Sequence, residues 1–190
     1  DNKLVDRDYI DIETLSGVRR VTTEKVYGEV AYATVNMGKA ELNPALVPVK
    51  LSGDTAIGVP TRIAGGRYRI TCVSMGNPHC VVFSEDLDAP LDRLDLSEIG
   101  PKFENDPLFP ERVNTEFIKV LNPHTLKMRV WERGSGETFA CGSGACAAVV
   151  AAVENGYCPK NEEITVKLRG GDLKIRYTSD AVYLSGDCVK

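Results

Sequence analysis

The sequence is short of the features that would place it in several common classes. Its 27 acidic residues outnumber 23 basic ones, for a formal net charge of −4, so no basic surface is expected for nucleic acid or for an anionic membrane. No apolar run is long enough to span a bilayer, and the most apolar stretch, 145 to 153, falls far short. The six cysteines (Cys72, Cys80, Cys141, Cys146, Cys158, Cys188) include no C-x-x-C pair. A chain of this length with a full apolar core needs no disulfide staples, so reduced thiols in a cytoplasmic protein are expected in place of a secreted framework. Cys141 and Cys146 lie about 140° apart around a helix, which argues against a shared metal, and no metal is expected. The phosphate loop G-x-x-x-x-G-K-[ST] is missing, because no lysine occurs in the glycine-rich loop. Internal repeats and low-complexity tracts are absent. So is a signal peptide, although the chain opens on Asp1 instead of methionine, and an upstream start is expected.

What is present centres on residues 131 to 156, from Trp131-Glu132-Arg133 across a glycine-rich loop to Cys141-Gly142-Ser143-Gly144 and a run of alanine and valine ending at Asn155-Gly156. A helix apolar nearly all round must be buried on most sides. Asn155-Gly156 is a good left-handed cap, and Pro159 prevents a restart. Small residues (Ala147, Ala148, Ala151, Ala152) allow close backbone approach, so a sheet wrapped around this helix is expected. Cys141 then stands at the helix entrance, where unpartnered N–H groups and the helix dipole can bind a carboxylate. The same field is expected to lower the cysteine pKa from about 8.5 toward neutrality, making the sulfur a usable base. Burial acts in the opposite sense, and the balance rests on closure around a substrate.

The rest of the chain reads mostly as strands. Residues 8 to 37 alternate, with Tyr9, Ile10 and Ile12, a turn at Ser16-Gly17, Val18 to Val21, and Val30 to Val35. Glycines and prolines over 38 to 62 suit a linker or a long irregular crossing, with a domain boundary near Gly38. Strands follow at Tyr68 to Val73 and Cys80 to Phe83, joined by a tight bend at Gly76-Asn77-Pro78-His79 that leaves the Asn77 amide facing a pocket. Asp86 to Pro101 suits a loop and a short helix. Val113 to Val120 and Leu126 to Trp131 read as an antiparallel pair, and Ile164 to Leu184 as a further meander. Strands outnumber helices and the links are hairpin-short, so the expected class is α+β, not doubly wound α/β.

Several side chains near the central loop are candidates for a site. Glu132 and Arg133 are adjacent strand residues pointing to opposite faces, so one can reach a ligand while the other orients it. Asn77 and Asn114 offer both donor and acceptor, which suits a substrate carrying ammonium and carboxylate together. His79, Cys80 and Cys146 taken singly read as structural. One competing motif is Gly142-Ser143-Gly144-Ala145-Cys146-Ala147, which fits the dinucleotide fingerprint G-x-G-x-x-A. That reading needs a strand directly before the first glycine and a parallel strand after the helix, and neither is expected here.

With these residues in hand, the chain closely resembles the diaminopimelate epimerases, pyridoxal-independent enzymes of lysine and peptidoglycan precursor synthesis. The resemblance rests on Glu132 to Thr138, Ala140 to Cys146, Gly76-Asn77-Pro78-His79-Cys80 and Arg112-Val113-Asn114-Thr115-Glu116-Phe117. It implies a mainly antiparallel sheet around a buried helix, with residues 38–182 forming the second of two similar domains. Residues 1–37 and a final strand at 183–190 would belong to the first. It also implies interconversion of LL- and meso-diaminopimelate without a cofactor, one cysteine thiolate removing the α-proton while a second thiol delivers a proton to the opposite face. Cys141 matches one of these bases, and Gly142 and Ser143 the cradle of the substrate carboxylate. Asn77, Asn114, Glu132 and Arg133 match groups contacting the substrate, and Glu132 and His79 match residues that tune the thiols. A homodimer is a further implied partner.

The family's Cys-Gly-Asn-Gly stretch, which carries the other cysteine, does not occur in these residues. The resemblance therefore implies a fragment beginning after the first cysteine helix, inactive alone and regaining turnover only with the missing N-terminal segment as another chain. Proline or hydroxyproline racemases and phenazine-type isomerases are alternatives of the same fold. A nucleotide-binding module is the alternative of another class.

Overall fold

Alternating apolar and polar residues dominate the start of the chain. The computed structural model, which describes residues 7–14, 17–63 and 65–188, turns them into an antiparallel run of β1 (Tyr9–Thr14), β2 (Gly17–Val26) and β3 (Glu29–Asn36). The link from β2 to β3 is Tyr27-Gly28, with φ of 51° and 82°, a two-residue turn whose twist matches the flanking strands. Ser16, in the expected first turn, lies outside the described residues.

Residues 38–58 are irregular, as their prolines and glycines predict. The irregular stretch ends sooner than expected, because Val59–Ile63 forms β4 against β5 (Gly66–Ser74). Pro60 hid this strand, and it is tolerated because β4 is the edge of the sheet. The bend at Met75 to Asn77 leads into β6 (Pro78–Phe83), then two short 3-10 turns and α1 (Leu96–Glu104). The Asp95 carboxylate caps α1 by accepting the Ser97 N–H at 2.9 Å. The order continues with β7 (Asn114–Asn122), β8 (Thr125–Glu132), β9 (Gly136–Thr138), α2 (Gly142–Glu154), β10 (Glu163–Leu168), β11 (Gly171–Tyr177) and β12 (Val182–Asp187).

The described strands form one sheet in the order β1-β2-β3-β12-β11-β10-β8-β7-β6-β5-β4, with β9 on β8. Most neighbours are antiparallel, and the expected α+β class with a sheet around a central helix is what the fold shows. Two pairs are parallel, β6 with β7 and β8 with β10. This corrects the reading of the last strands as a free meander: β10 returns beside β8 through α2. A parallel neighbour needs such a crossover, and the crossover lays the apolar helix onto the sheet.

Residues Ala145 through Ala152 of α2 have no exposed surface. The helix packs against β5 to β8 and β10 to β12, and each buried valine contributes about 1.5–3 kcal/mol relative to exposure. It ends as expected, with Asn155 Nδ2 donating to the Ala151 carbonyl at 2.7 Å and Gly156 at a φ of 80°. The opposite face of β5 to β8 carries a second core under α1, where Phe103 meets Phe117 edge-on at 5.5 Å. Strands β5 to β7 are thus covered on both faces, and the position of a buried polar side chain on them is fixed by the register of their neighbours.

Candidate active site

Cys141 is the N-cap of α2, with extended backbone angles (φ −138°, ψ 107°). Its sulfur takes the place of the usual capping oxygen and accepts the Gly144 N–H at 3.4 Å, with Ser143 Oγ 3.7 Å away. The expected place at the helix entrance is therefore found, but the expected pKa is not. Burial above all pushes the thiol up to about 12; a Glu116 carboxylate bearing its full negative charge acts the same way, and Glu132 more weakly. The hydrogen bonds from Ser143 and the Gly144 N–H lower it by less. The physical reason is scale: a helix end supplies about half a charge, whereas desolvation opposes the whole thiolate. Cys141 therefore rests as a thiol.

The bend between β5 and β6 brings a second group to the same place. Asn77 Nδ2 donates toward Ser143 Oγ at 3.5 Å, and Asn77 Oδ1 lies 3.0 Å from His79 Nε2. The parallel register of β6 on β7 sets His79 beside Asn114. Glu116, two residues on, shares the Asn114 face of β7. His79 Nδ1 lies 2.7 Å from Glu116 Oε1, with both side chains fully buried. The line of polar contacts thus runs Cys141, Ser143, Asn77, His79, Glu116.

Glu116 has no assigned part in the sequence reading. Its signal was available: a carboxylate within a strand whose neighbours are core residues must be paired or protonated. Glu116 Oε2 has no partner, and an unsatisfied buried acceptor costs about 1–3 kcal/mol. A Cβ on Gly144 would lie 2.6 Å from Glu116 Oε1 and 3.1 Å from Cys141 Sγ, so the glycine is what lets carboxylate and thiol approach the same point of the helix.

Asn114, Glu132 and Arg133 form a neighbouring group. Asn114 Nδ2 donates to the Pro78 carbonyl at 2.9 Å, and its Oδ1 accepts the Arg133 N–H at 2.9 Å, tying the bend to the end of β8. Arg133 Nη1 donates to the Glu111 carbonyl at 2.8 Å, and Glu132 accepts from the Thr138 hydroxyl. The loop beyond is fixed by Glu104, another residue without an assigned part. Glu104 accepts from Trp131 Nε1 at 2.7 Å, Arg112 Nη1 at 3.0 Å and the Gly134 N–H at 2.9 Å.

A cavity of about 510 Å³ opens beside the helix entrance. Thr14, Arg19, Asn77 and Ser143 supply its polar wall, and Ile12, Val21, Val35, Met37 and Met75 its apolar one. Of the site residues expected from the sequence only Asn77 and Ser143 line it; Cys141, Gly142, His79, Asn114, Glu132 and Arg133 do not. Among the described residues no cluster of His, Cys, Asp and Glu is set to hold a metal ion. Of the dinucleotide fingerprint's two requirements, the parallel strand after the helix is present, against expectation, as β10 beside β8, but the strand before Gly142 is β9, which ends at Thr138 and runs antiparallel to β8.

The family model for diaminopimelate epimerase matches residues 71–190, which include all of these polar groups except Thr14 and Arg19. The chain belongs to the diaminopimelate epimerase family. It is 48% identical over 191 residues to the diaminopimelate epimerase of Desulfovibrio desulfuricans, covering 96% of this chain and 64% of that protein. It is 47% identical over 184 residues to the diaminopimelate epimerase of Pelotomaculum thermopropionicum, with the same coverage of 96% and 64%. The chain thus spans less than two thirds of the length of these epimerases. Among solved structures, a probable proline racemase from Agrobacterium radiobacter K84 superposes with a TM-score of 0.71 at 12% identity, covering 94% of this chain and 57% of that one. A hydroxyproline epimerase from Agrobacterium vitis gives 0.67 at 12% identity, covering 96% and 58%. These structures share the epimerase fold with the chain.

Proposed function

We propose that this chain supplies one acid–base half of a cofactor-independent site that interconverts LL- and meso-2,6-diaminopimelate, in lysine and peptidoglycan precursor synthesis. The observation that carries the reading is the Cys141 thiol capping α2, joined through Ser143 to Asn77, the latter two lining a cavity. In this reading the N–H groups at Gly142 and Ser143 receive the substrate carboxylate. Asn77, Asn114 and Arg133 hold its distal end, Glu132 also contacts it, and His79 and Glu132 tune the thiol. Cys141, resting protonated, delivers a proton to one face of the α-carbon. In the reverse direction it removes that proton with the substrate ammonium close by, which favours the thiolate.

Inversion needs a second group on the opposite face, and a cysteine in a Cys-Gly-Asn-Gly stretch of the family's kind fits that part. Residues 1–37 and 183–190 are proposed to belong with that second half, and 38–182 to form the domain built on α2. The pairing of β12 with β3 supports this division, and a homodimer is proposed for the assembled enzyme. The test is inversion of LL-diaminopimelate by this chain alone and by the chain mixed with a segment bearing a relative's Cys-Gly-Asn-Gly stretch. Inversion only in the mixture is expected, and inversion by the chain alone would overturn the division of the site. A cyclic monocarboxylate such as proline would give Arg133 and Asn114 no second carboxylate to hold, so no turnover of proline is expected.

A further inference from the structure

Glu116 is the only carboxylate among the described residues with no exposed surface. Its Oε1 lies 2.7 Å from His79 Nδ1, and across the ring His79 Nε2 lies 3.0 Å from Asn77 Oδ1. The nitrogen of that Asn77 amide faces Ser143 Oγ, so its carbonyl oxygen faces the ring and can only accept. With the amide in this orientation, His79 carries a proton on Nε2. Were that its sole proton, an Nδ1 lone pair would face a carboxylate lone pair at 2.7 Å, a repulsive contact in a site of low dielectric. In this orientation a second proton lies between Nδ1 and Oε1.

We propose that Glu116 is a positioning residue: it holds a shared proton against His79, keeps Nε2–H donating to Asn77, and so aims the Asn77 N–H at Ser143. What this does for turnover rests on the epimerase reading, whereas the proton assignment does not. With Ser143 Oγ accepting from Asn77, the serine keeps its own O–H for the Cys141 sulfur, 3.7 Å away. That direction stabilises the thiolate left when the S–H bond breaks, the proton forms a C–H bond with the substrate carbanion, and the sulfur keeps the S–H electron pair. The opposite arrangement is also self-consistent, with one proton fewer on the pair. There His79 Nδ1–H faces a bare Glu116, Nε2 accepts from a flipped Asn77, and Ser143 donates to Asn77 and is lost to the sulfur. The proton held by Glu116 thus decides whether Cys141 has a hydroxyl donor.

The chain has two histidines, and His124 is a surface residue paired with Glu162, so H124Q leaves His79 as the only imidazole. Nitrogen-15 NMR of the histidine-labelled H124Q chain at neutral pH should show both ring nitrogens bearing or sharing a proton, with the Nδ1 proton far downfield. In E116Q on the same background, the glutamine N–H donates to Nδ1, so Nδ1 should read as unprotonated with Nε2–H kept. A parent ring with a single proton on Nδ1 would overturn the proposal. Identical ring signals in the two proteins would do the same, and the parent spectrum decides by itself if E116Q does not fold. In the mixture active on LL-diaminopimelate, E116Q should lower kcat about a hundredfold, the lower range of general acid–base effects, with KM little changed. An unchanged kcat would overturn the link to Cys141. Absence of turnover in the unsubstituted mixture would count against the epimerase reading, while the ring spectra would still decide where the Glu116 proton lies.

Discussion

Alkylation of Cys141 should keep accelerating with pH well beyond the point where ordinary thiols level off. The perturbation is a pH series from 7 to 11 with iodoacetamide, read peptide by peptide by mass spectrometry, with glutathione as the free-thiol reference. With the thiol pushed up to about 12, above all by burial, about one sulfur in 10,000 is a thiolate at pH 8, against roughly one in four for a free thiol near 8.5. The more basic thiolate is also the better nucleophile, and a Brønsted slope of about 0.4–0.5 over roughly 3.5 units returns a factor of about 40. Cys141 should then react about 60-fold more slowly than glutathione at pH 8. Burial of the residue lowers the rate by a constant factor at each pH, so the slope is the cleaner readout. From pH 8 to 10 Cys141 should gain about a hundredfold and glutathione about fourfold. Cys72 and Cys80, fully buried, control for reagent entering by unfolding and should stay unlabelled. A plateau for Cys141 below about pH 9 would refute the reasoning, since it would mean that the helix end outweighs desolvation.

Three further outcomes are expected. Gly144→Ala brings a Cβ to 2.6 Å from Glu116 Oε1 and 3.1 Å from Cys141 Sγ, so it should lower stability in urea by about 1–3 kcal/mol despite alanine's better helix propensity. Equal or greater stability would contradict that contact. Glu104→Gln weakens the charge-assisted bonds to Arg112, Trp131 and Gly134 and should cost about 2 kcal/mol. Trp131 is the only tryptophan, so its emission should shift as well, and unchanged emission and stability would count against the strut. Burial also raises the pKa of Cys146. Both this thiol and Cys141 stay protonated in the fold where the unfolded chain ionises, so the unfolded state binds fewer protons above about pH 8.5. Stability should therefore fall as pH rises, by about 1.4 kcal/mol per unit per thiol. A flat urea midpoint from pH 8 to 10 under reducing conditions would contradict this.

The parts of the fold legible in the sequence are those where one signal dominates. An alanine and valine run capped by Asn155-Gly156 could only be a buried helix, and the alternation in β1 to β3 could only be strands. β4 was hidden because Pro60 reads as a breaker unless the strand is known to be an edge. The parallel return of β10 beside β8 was hidden because strand patterns carry no direction; only the packing of α2 decides it. At the site, the place of Cys141 and the facing of Asn77 followed from local chain chemistry. The thiol's pKa did not, because it is a difference between a helix-end field and a desolvation term that depends on residues distant in the chain. For Glu116 the need for a partner could be read from its core neighbours, but which partner could not, nor could that of Glu104: His79 and Trp131 are 37 and 27 residues away.

Everything proposed for the reaction passes through one sulfur. The most direct measurement is deuterium incorporation at the α-carbon of LL-diaminopimelate in D₂O, with the chain and a segment bearing the Cys-Gly-Asn-Gly stretch, for the native residue and for Cys141→Ala. Loss of exchange with inversion by at least about a hundredfold in the alanine variant is predicted. Inversion at the native rate without that sulfur would contradict the account.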